Sequence, residues 1–330
     1  MSTDLKALRS RFDGTQPAMS EEELRAQCLA LRNWGRWGPD DELGTLNHIR
    51  PEDVVDASRL IKQGRVFSLA LPFDDKGPAY GRRGRYNPIH YMITTGAEAF
   101  SGVQDSHGIR YADDGVIMPL QCGTQWDALS HVFYDDHMWN GYDIRLVDGF
   151  GAKKNGIERT KDRLTGRGVL LDVARFHEVP TLPDGYAIRA AELDAVAAWH
   201  GVQVRRGDFV IVRTGQMGDR LRSGVWGQYS GGDAPGLAVD TAEWLQDRQV
   251  AAVCSDTFGV EVRPNPTSRI RQPWHWIVIP NMGLTMGEIF HLEELAADCA
   301  HDHVYEFFFC GASLPITGGV GSPTNPIAIK

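Results

Sequence analysis

Between residues 190 and 255 the hydrophobic pattern changes period several times, and this limits the possible folds more than any other stretch. Residues 190–200, AAELDAVAAWH, space their apolar side chains as an amphipathic helix does. Residues 208–213, DFVIVR, are a short continuous apolar run of the kind that forms a buried strand. Asp240 with Glu243 three positions on opens a second helix, which runs to about Arg248. Residues 250–254, VAAVC, form another buried strand. Helices alternating with buried strands imply a sheet that is at least partly parallel, so the fold class is α/β.

The flanking segments fit that frame. Ser20 and Glu23 form a capping box, followed by Leu24, Cys28 and Leu31 at helical spacing, and this helix ends before Gly35. Residues 33–47, NWGRWGPDDELGTLN, are rich in turn formers and read as an ordered loop packed by Trp34 and Trp37. Pro51 begins a helix that Gly64 stops. Val66 to Leu71 reads as a strand with Phe67, Leu69 and Leu71 on one face, and 168–173 as a buried strand. Residues 73–88 are loop-like, and the glycine-rich tail from Gly311 to Ile329 reads as a tethered irregular segment. No repeat, low-complexity tract or linker divides the 330 residues. The expectation is one domain over 1–330, with residues 1–50 a helical extension packed on it.

A net charge of −9, with no basic stripe, argues against a nucleic-acid partner. One basic cluster exists, Arg82, Arg83 and Arg85, set among Gly77, Gly81 and Gly84. It is either a solvated loop or a lid that attracts an anionic substrate. The five cysteines (Cys28, Cys122, Cys254, Cys299 and Cys310) are odd in number, irregularly spaced and free of any CxxC. That pattern fits a reducing compartment rather than a disulfide framework or a zinc knot. The N-terminus lacks an apolar signal region and no run of about 18 apolar residues occurs, so the expected location is cytoplasmic, with no membrane partner.

The densest chemical signal is MPLQCGTQWDALSHVFYDDHMWNGYD, residues 118–143. It places Gln121, Gln125, Asp127, His131 and His137 within seventeen positions, with Gly123 and Thr124 among them. Oxygen ligands and imidazoles at this density suit a divalent cation, although such polar groups can also bond only one another. Trp126 and Trp139 bracket the segment, and Trp274 and Trp276 flank His275. Aromatic residues usually fill core, but crowding around candidate ligands favours a planar or apolar substrate. No GxGxxG follows a strand and no GxSxG occurs, which disfavours a nucleotide-dependent oxidoreductase and a serine hydrolase.

This segment resembles the His-x-Gly-Thr-His-x-Asp-x-Pro-x-His signature of the cyclase family of metal-dependent hydrolases, which includes bacterial kynurenine formamidase and isatin hydrolase. Gly123, Thr124, Asp127 and His131 fall in register. CSDTFGVE (254–261), His275 followed by Glu288, and LPITGGVGSPTNPIAI near the C-terminus resemble later segments of the family. The resemblance implies a swivelling β/β/α fold with a β-barrel-like core and a homodimer or homotetramer. Both signature histidines are glutamine here, Gln121 and Gln125, and the proline is Leu129.

Family members can hold two metals. Carried over residue by residue, the site that needs both histidines is damaged, and the other keeps Asp127, His131, His275 and Glu288. The resemblance therefore implies one divalent ion, manganese or zinc, held by those four residues. It also implies hydrolysis of a C–N or C–O bond in a small cyclic or aromatic amide or lactone, through metal-activated water. His131 or Glu288, whichever is free of metal, would shuttle the proton. Gln121, Gln125, Trp126, His137 and Trp274 are the candidate substrate contacts. Two alternatives stay open because of the lost histidines: a metal-free enzyme with His131 as base, and a non-catalytic binder of small molecules.

Overall fold

The computed structural model describes the backbone of residues 2–330 and the side chains of residues 5–81 and 83–330. Nine strands form one sheet, in the spatial order Val66–Ser68, Ile327–Ile329, Glu306–Cys310, Thr165–Asp172, Phe209–Arg213, Ala252–Ser255, Thr285–Glu288, Gln125–Asp127 and Gly321–Pro323. The middle four run parallel, as the helix–strand alternation requires. The flanking strands add antiparallel on both sides, and the sheet curls into a half-barrel.

The parallel strands are buried on both faces, so their alternation sorts side chains into two cores rather than into core and solvent. Val169, Leu171, Val210, Val212 and Val253 point to one core, with the helices Glu21–Ala30, Ala190–His200 and Thr241–Asp247 and the turn Ile277–Met282. Leu170, Phe209, Ile211, Ala252 and Cys254 point to the other, with Trp126, Phe290 and Phe309 and the helix Glu293–Asp302. Burying a side chain of this size contributes about 1.5–3 kcal/mol. The Ser20–Glu23 capping box forms as expected. Trp34 donates its indole N–H to the Pro280 carbonyl at 2.6 Å, which fixes the 33–47 loop on the first core.

Two expectations need correction, and one element was not anticipated. The tail is irregular over residues 311–320 but not beyond, because Gly321–Pro323 and Ile327–Ile329 are strands of the main sheet. Strands of three residues are too short to show alternation, and Pro323 is tolerated because its strand is at an edge. Asp240 does not cap the helix that follows it; its carboxylate accepts from the Arg189 guanidinium at 2.9 Å. Residues 89–117 also carry an unforeseen hairpin, Ile89–Thr94 paired only with Asp113–Ile117, outside the main sheet. No helix of the described residues is long and apolar enough to cross a membrane.

Candidate functional site

The site is built on the Gln125–Asp127 strand, whose three residues are all buried. Alternation sends Trp126 to one face and Gln125 and Asp127 to the other. Antiparallel register sets Glu288 directly across from Gln125 and Met286 across from Asp127. The short helix Pro273–Trp276 brings in His275. As a result Asp127, His275 and Glu288, all buried, offer ligand atoms within 4.8 Å of one another.

His275 is oriented from behind. Its Nδ1 is bonded to the Glu261 carboxylate, which also accepts from the backbone N–H of Trp274 at 3.2 Å. That leaves Nε2 facing the centre, 3.5 Å from Glu288 Oε1. A histidine steadied by a carboxylate on its far nitrogen is the usual support for a metal-bound imidazole. Glu261 is a site residue that the motif reading missed. The backbone is strained beside both acids: Val260 has φ 53° and Ile289 φ 61°. Positive φ in a β-branched residue costs about 1–3 kcal/mol and persists only where surrounding structure enforces it.

Burial and the neighbouring Glu288 hold the Asp127 carboxyl well above the usual carboxylate range, against the opposing pull of His275 and Arg85. Burial alone would lower His275, but the Glu261 and Glu288 carboxylates outweigh it and push the imidazole up to about 10. A divalent cation among these groups would offset the carboxylate charge and displace the proton that His275 carries. Gln125 fits the same exchange. Its Nε2 donates to Glu288 Oε2 at 2.6 Å and lies 3.4 Å from Asp127 Oδ1, while its Oε1 is buried with no hydrogen-bond partner. Turning the amide over presents that oxygen to a cation between the carboxylates. The donor set fits one hard or borderline divalent ion.

His131 stands at the rim, its Nε2 3.8 Å from Asp127 Oδ1 and 3.5 Å from Arg85 Nη2. Burial first, and Arg85 second, bring its imidazole down to about 4, so it is neutral at neutral pH. With Asp127, His275 and Glu288 it lines a cavity of about 60 Å³, whose outer wall is formed by Tyr80, Arg83, Arg85, Phe258 and Arg263. The Arg82 side chain is outside the described residues.

None of the five expected substrate contacts lines this cavity. Trp126 lies in the second core, 5.5 Å from Phe290 between ring centres, with its indole N–H on the Gly311 carbonyl at 2.6 Å. Trp274 is fully buried and donates to Thr241 Oγ1 at 3.0 Å. His137 is on the exposed side of a tight turn, 5.6 Å from the Trp34 ring. Gln121 packs against Gly321, where a Cβ would fall 2.6 Å from its Nε2. Gln125 turns its amide to Glu288 and Asp127. Nor does Gly123 admit a ligand: a Cβ there would meet Phe73 at 2.9 Å, so its smallness serves packing.

Because Glu261 fixes the ligand face of His275, Glu261→Gln is expected to weaken metal affinity about 10–100-fold while leaving the three donors in place. Competition against a chelator measures it, and unchanged affinity removes Glu261 from the centre.

A family model described as "Putative cyclase" matches residues 67–262, more than half of the chain. The crystal structure of a novel cyclase aligns with a TM-score of 0.82 at 40% identity, over 91% of this chain and 100% of that one. Isatin hydrolase A from Ralstonia solanacearum aligns with a TM-score of 0.59 at 19% identity, over 81% of this chain and 92% of that one. Isatin hydrolase A from Labrenzia aggregata, bound to benzyl benzoate, has a TM-score of 0.59 at 16% identity, over 80% and 93%. No curated protein matches the chain.

Proposed function

The chain belongs to the Cyclase family, and on that premise we propose that it is a metal-dependent hydrolase of a C–N or C–O bond in a small cyclic or aromatic amide or lactone. The observation that carries this is the convergence of Asp127, Glu288 and His275, with Glu261 steadying the imidazole. Those three residues would hold one divalent ion, manganese or zinc, with the Gln125 oxygen as a weak fourth donor. Two carboxylates and an amide make the set oxygen-rich, which favours manganese. When bound, the ion supplies Lewis acidity to the substrate carbonyl and lowers the pKa of a water.

The chain's own groups do the rest. His131, neutral and within reach of the same cavity, accepts a proton from the attacking water and returns it to the leaving nitrogen or oxygen. Glu288 is engaged by Gln125 and His275, which favours His131 over Glu288 as the proton carrier. The test is metal content by elemental analysis, coupled to turnover on aryl formamides, simple lactones and cyclic imides. The isatin hydrolase neighbours put isatin, a cyclic amide, first in the panel. About one ion per chain with turnover supports the reading; no ion after reconstitution overturns it, as does full metal loading without turnover on any of them.

We also propose that a second copy of this chain covers the hairpin. Among the described residues, twelve large apolar side chains between Tyr80 and Ile117 are at least 40% exposed, Ile93 and Val116 among them. Together they present on the order of 1,000 Å², above what a monomer usually leaves bare and comparable to one side of a standard interface. Two strands alone are only marginally stable in water, so the hairpin needs a partner surface. Light scattering is expected to give twice the 36.6 kDa chain mass. Ile93→Lys combined with Val116→Lys is expected to give monomer. A monomeric wild type at micromolar concentration overturns the assignment.

A further inference from the structure

The cavity is acidic at its inner end and basic at its mouth. The inner end holds Asp127 and Glu288, with Glu261 behind His275. The mouth carries three guanidiniums from two separate segments: Arg83 and Arg85 from the strap that precedes the hairpin, and Arg263 from the loop that follows Glu261. This is unusual for a chain whose net charge is −9. We infer that the substrate carries an anionic group, a carboxylate a few bonds from the scissile carbonyl, and that Arg85 binds it with Arg83 and Arg263 close by. This deepens the hydrolase reading and rests on it for the position of the scissile bond.

Arg85 is the centre of the argument. Two little-exposed arginines elsewhere in this chain are matched by acids: Arg167 by Asp208 and Glu306, Arg213 by Asp172 and Glu293. Among the described residues Arg85, half-buried, makes no ion pair with a carboxylate. Its neighbours are the His131 ring, 3.5 Å from Nη2, and the face of Phe258, 6.0 Å from Cζ. A guanidinium removed from water without an anion loses hydration that a forked carboxylate contact restores, so this geometry favours an anionic guest over a neutral one.

The spacing sets the size of that guest. Arg85 Nη2 is 3.5 Å from His131 Nε2, which is itself 3.8 Å from Asp127 Oδ1. An anion on Arg85 therefore lies beside the reacting carbonyl, not at the end of a long chain. The cavity of about 60 Å³ beside the acids suits a small group there. Phe258 beneath Arg85 offers a flat surface for a planar group joining the two. An aryl or short-chain amide or lactone with a neighbouring carboxylate meets all three conditions.

The experiment uses benzoate and benzamide, which share shape and differ in charge, with calorimetry on the metal-loaded full-length protein. Benzoate is expected to bind at least about tenfold more tightly than benzamide, on the scale of one desolvated charge-assisted contact. Arg85→Gln is expected to abolish that preference and Arg85→Lys to restore part of it, with metal content unchanged in both. The preference is expected to survive in Asp127→Asn, which lacks the metal. Equal binding of the two probes, or binding of neither at millimolar concentration, overturns the inference. So does a preference that persists in Arg85→Gln and disappears in Asp127→Asn, because the carboxylate then binds the metal. Metal content and turnover are read separately, so an Arg85-dependent preference without turnover would overturn the hydrolase reading and leave the anion site standing.

Discussion

Asp127→Asn loses the bound metal and lowers turnover by about 10³-fold or more. The expected loss is this large because one position supplies a central donor of the cluster, and metal polarisation of a carbonyl is worth several kcal/mol in the transition state. The substitution keeps the volume of a fully buried side chain and removes only the charge that a cation needs. It should not unfold the protein. Burial and Glu288 already hold the Asp127 carboxyl well above its ordinary range, so the metal-free fold disfavours a charge at this position, and asparagine carries none. Adding manganese is therefore expected to raise the Tm of the wild type and leave that of the variant unchanged. Elemental analysis should fall from about one ion per chain to near none. One ion retained per chain would remove Asp127 from the centre, and two tightly bound ions in the wild type would refute the single-ion assignment.

The inner end of this site was legible because its chemistry is written locally. Asp127 and His131 stand four positions apart in a segment dense with polar residues and glycine, and His275 and Glu288 are thirteen apart with only the Ile277–Met282 turn between their elements. Three of the four parallel strands were legible because they are buried on both faces and read as unbroken apolar runs; the fourth, Thr285–Glu288, mixes polar residues and glycine and was not. What escaped depends on contacts between distant segments. Glu261 supports His275 from fourteen positions away, and no local pattern marks it as a partner. The rim arginines come together only because the 73–88 strap folds over the cavity against the loop at 263.

The tryptophans expected at the substrate lie in the core for a reason the sequence did contain. Trp126 sits between Gln125 and Asp127, so if both neighbours face the site, a strand must turn the tryptophan away. Trp274 precedes His275 on a single helical turn and points into the core for a similar geometric reason. Adjacency in the chain to a ligand is thus weak evidence of adjacency to substrate, and in a strand it is evidence against.

His131→Ala is expected to keep the metal and lose about 10²–10⁴-fold in kcat, the range for removing a general base. The distinction matters, because the family resemblance also offers His131 as a ligand. Distance favours the role of base. Asp127, His275 and Glu288 offer atoms within 4.8 Å of one another, and His131 stands outside that group at the cavity rim. Burial and Arg85 bring its imidazole down to about 4, so it enters the reaction neutral and able to accept a proton. Removing the ring leaves a space beside Asp127 that an imidazole from solution can fill. Added imidazole is therefore expected to restore part of kcat in His131→Ala and to do nothing for Asp127→Asn, with KM changing little in the former. If the alanine variant instead loses its metal along with its activity, His131 is a ligand and the proton passes through another group. If it keeps both metal and full turnover, His131 has no part in the chemistry.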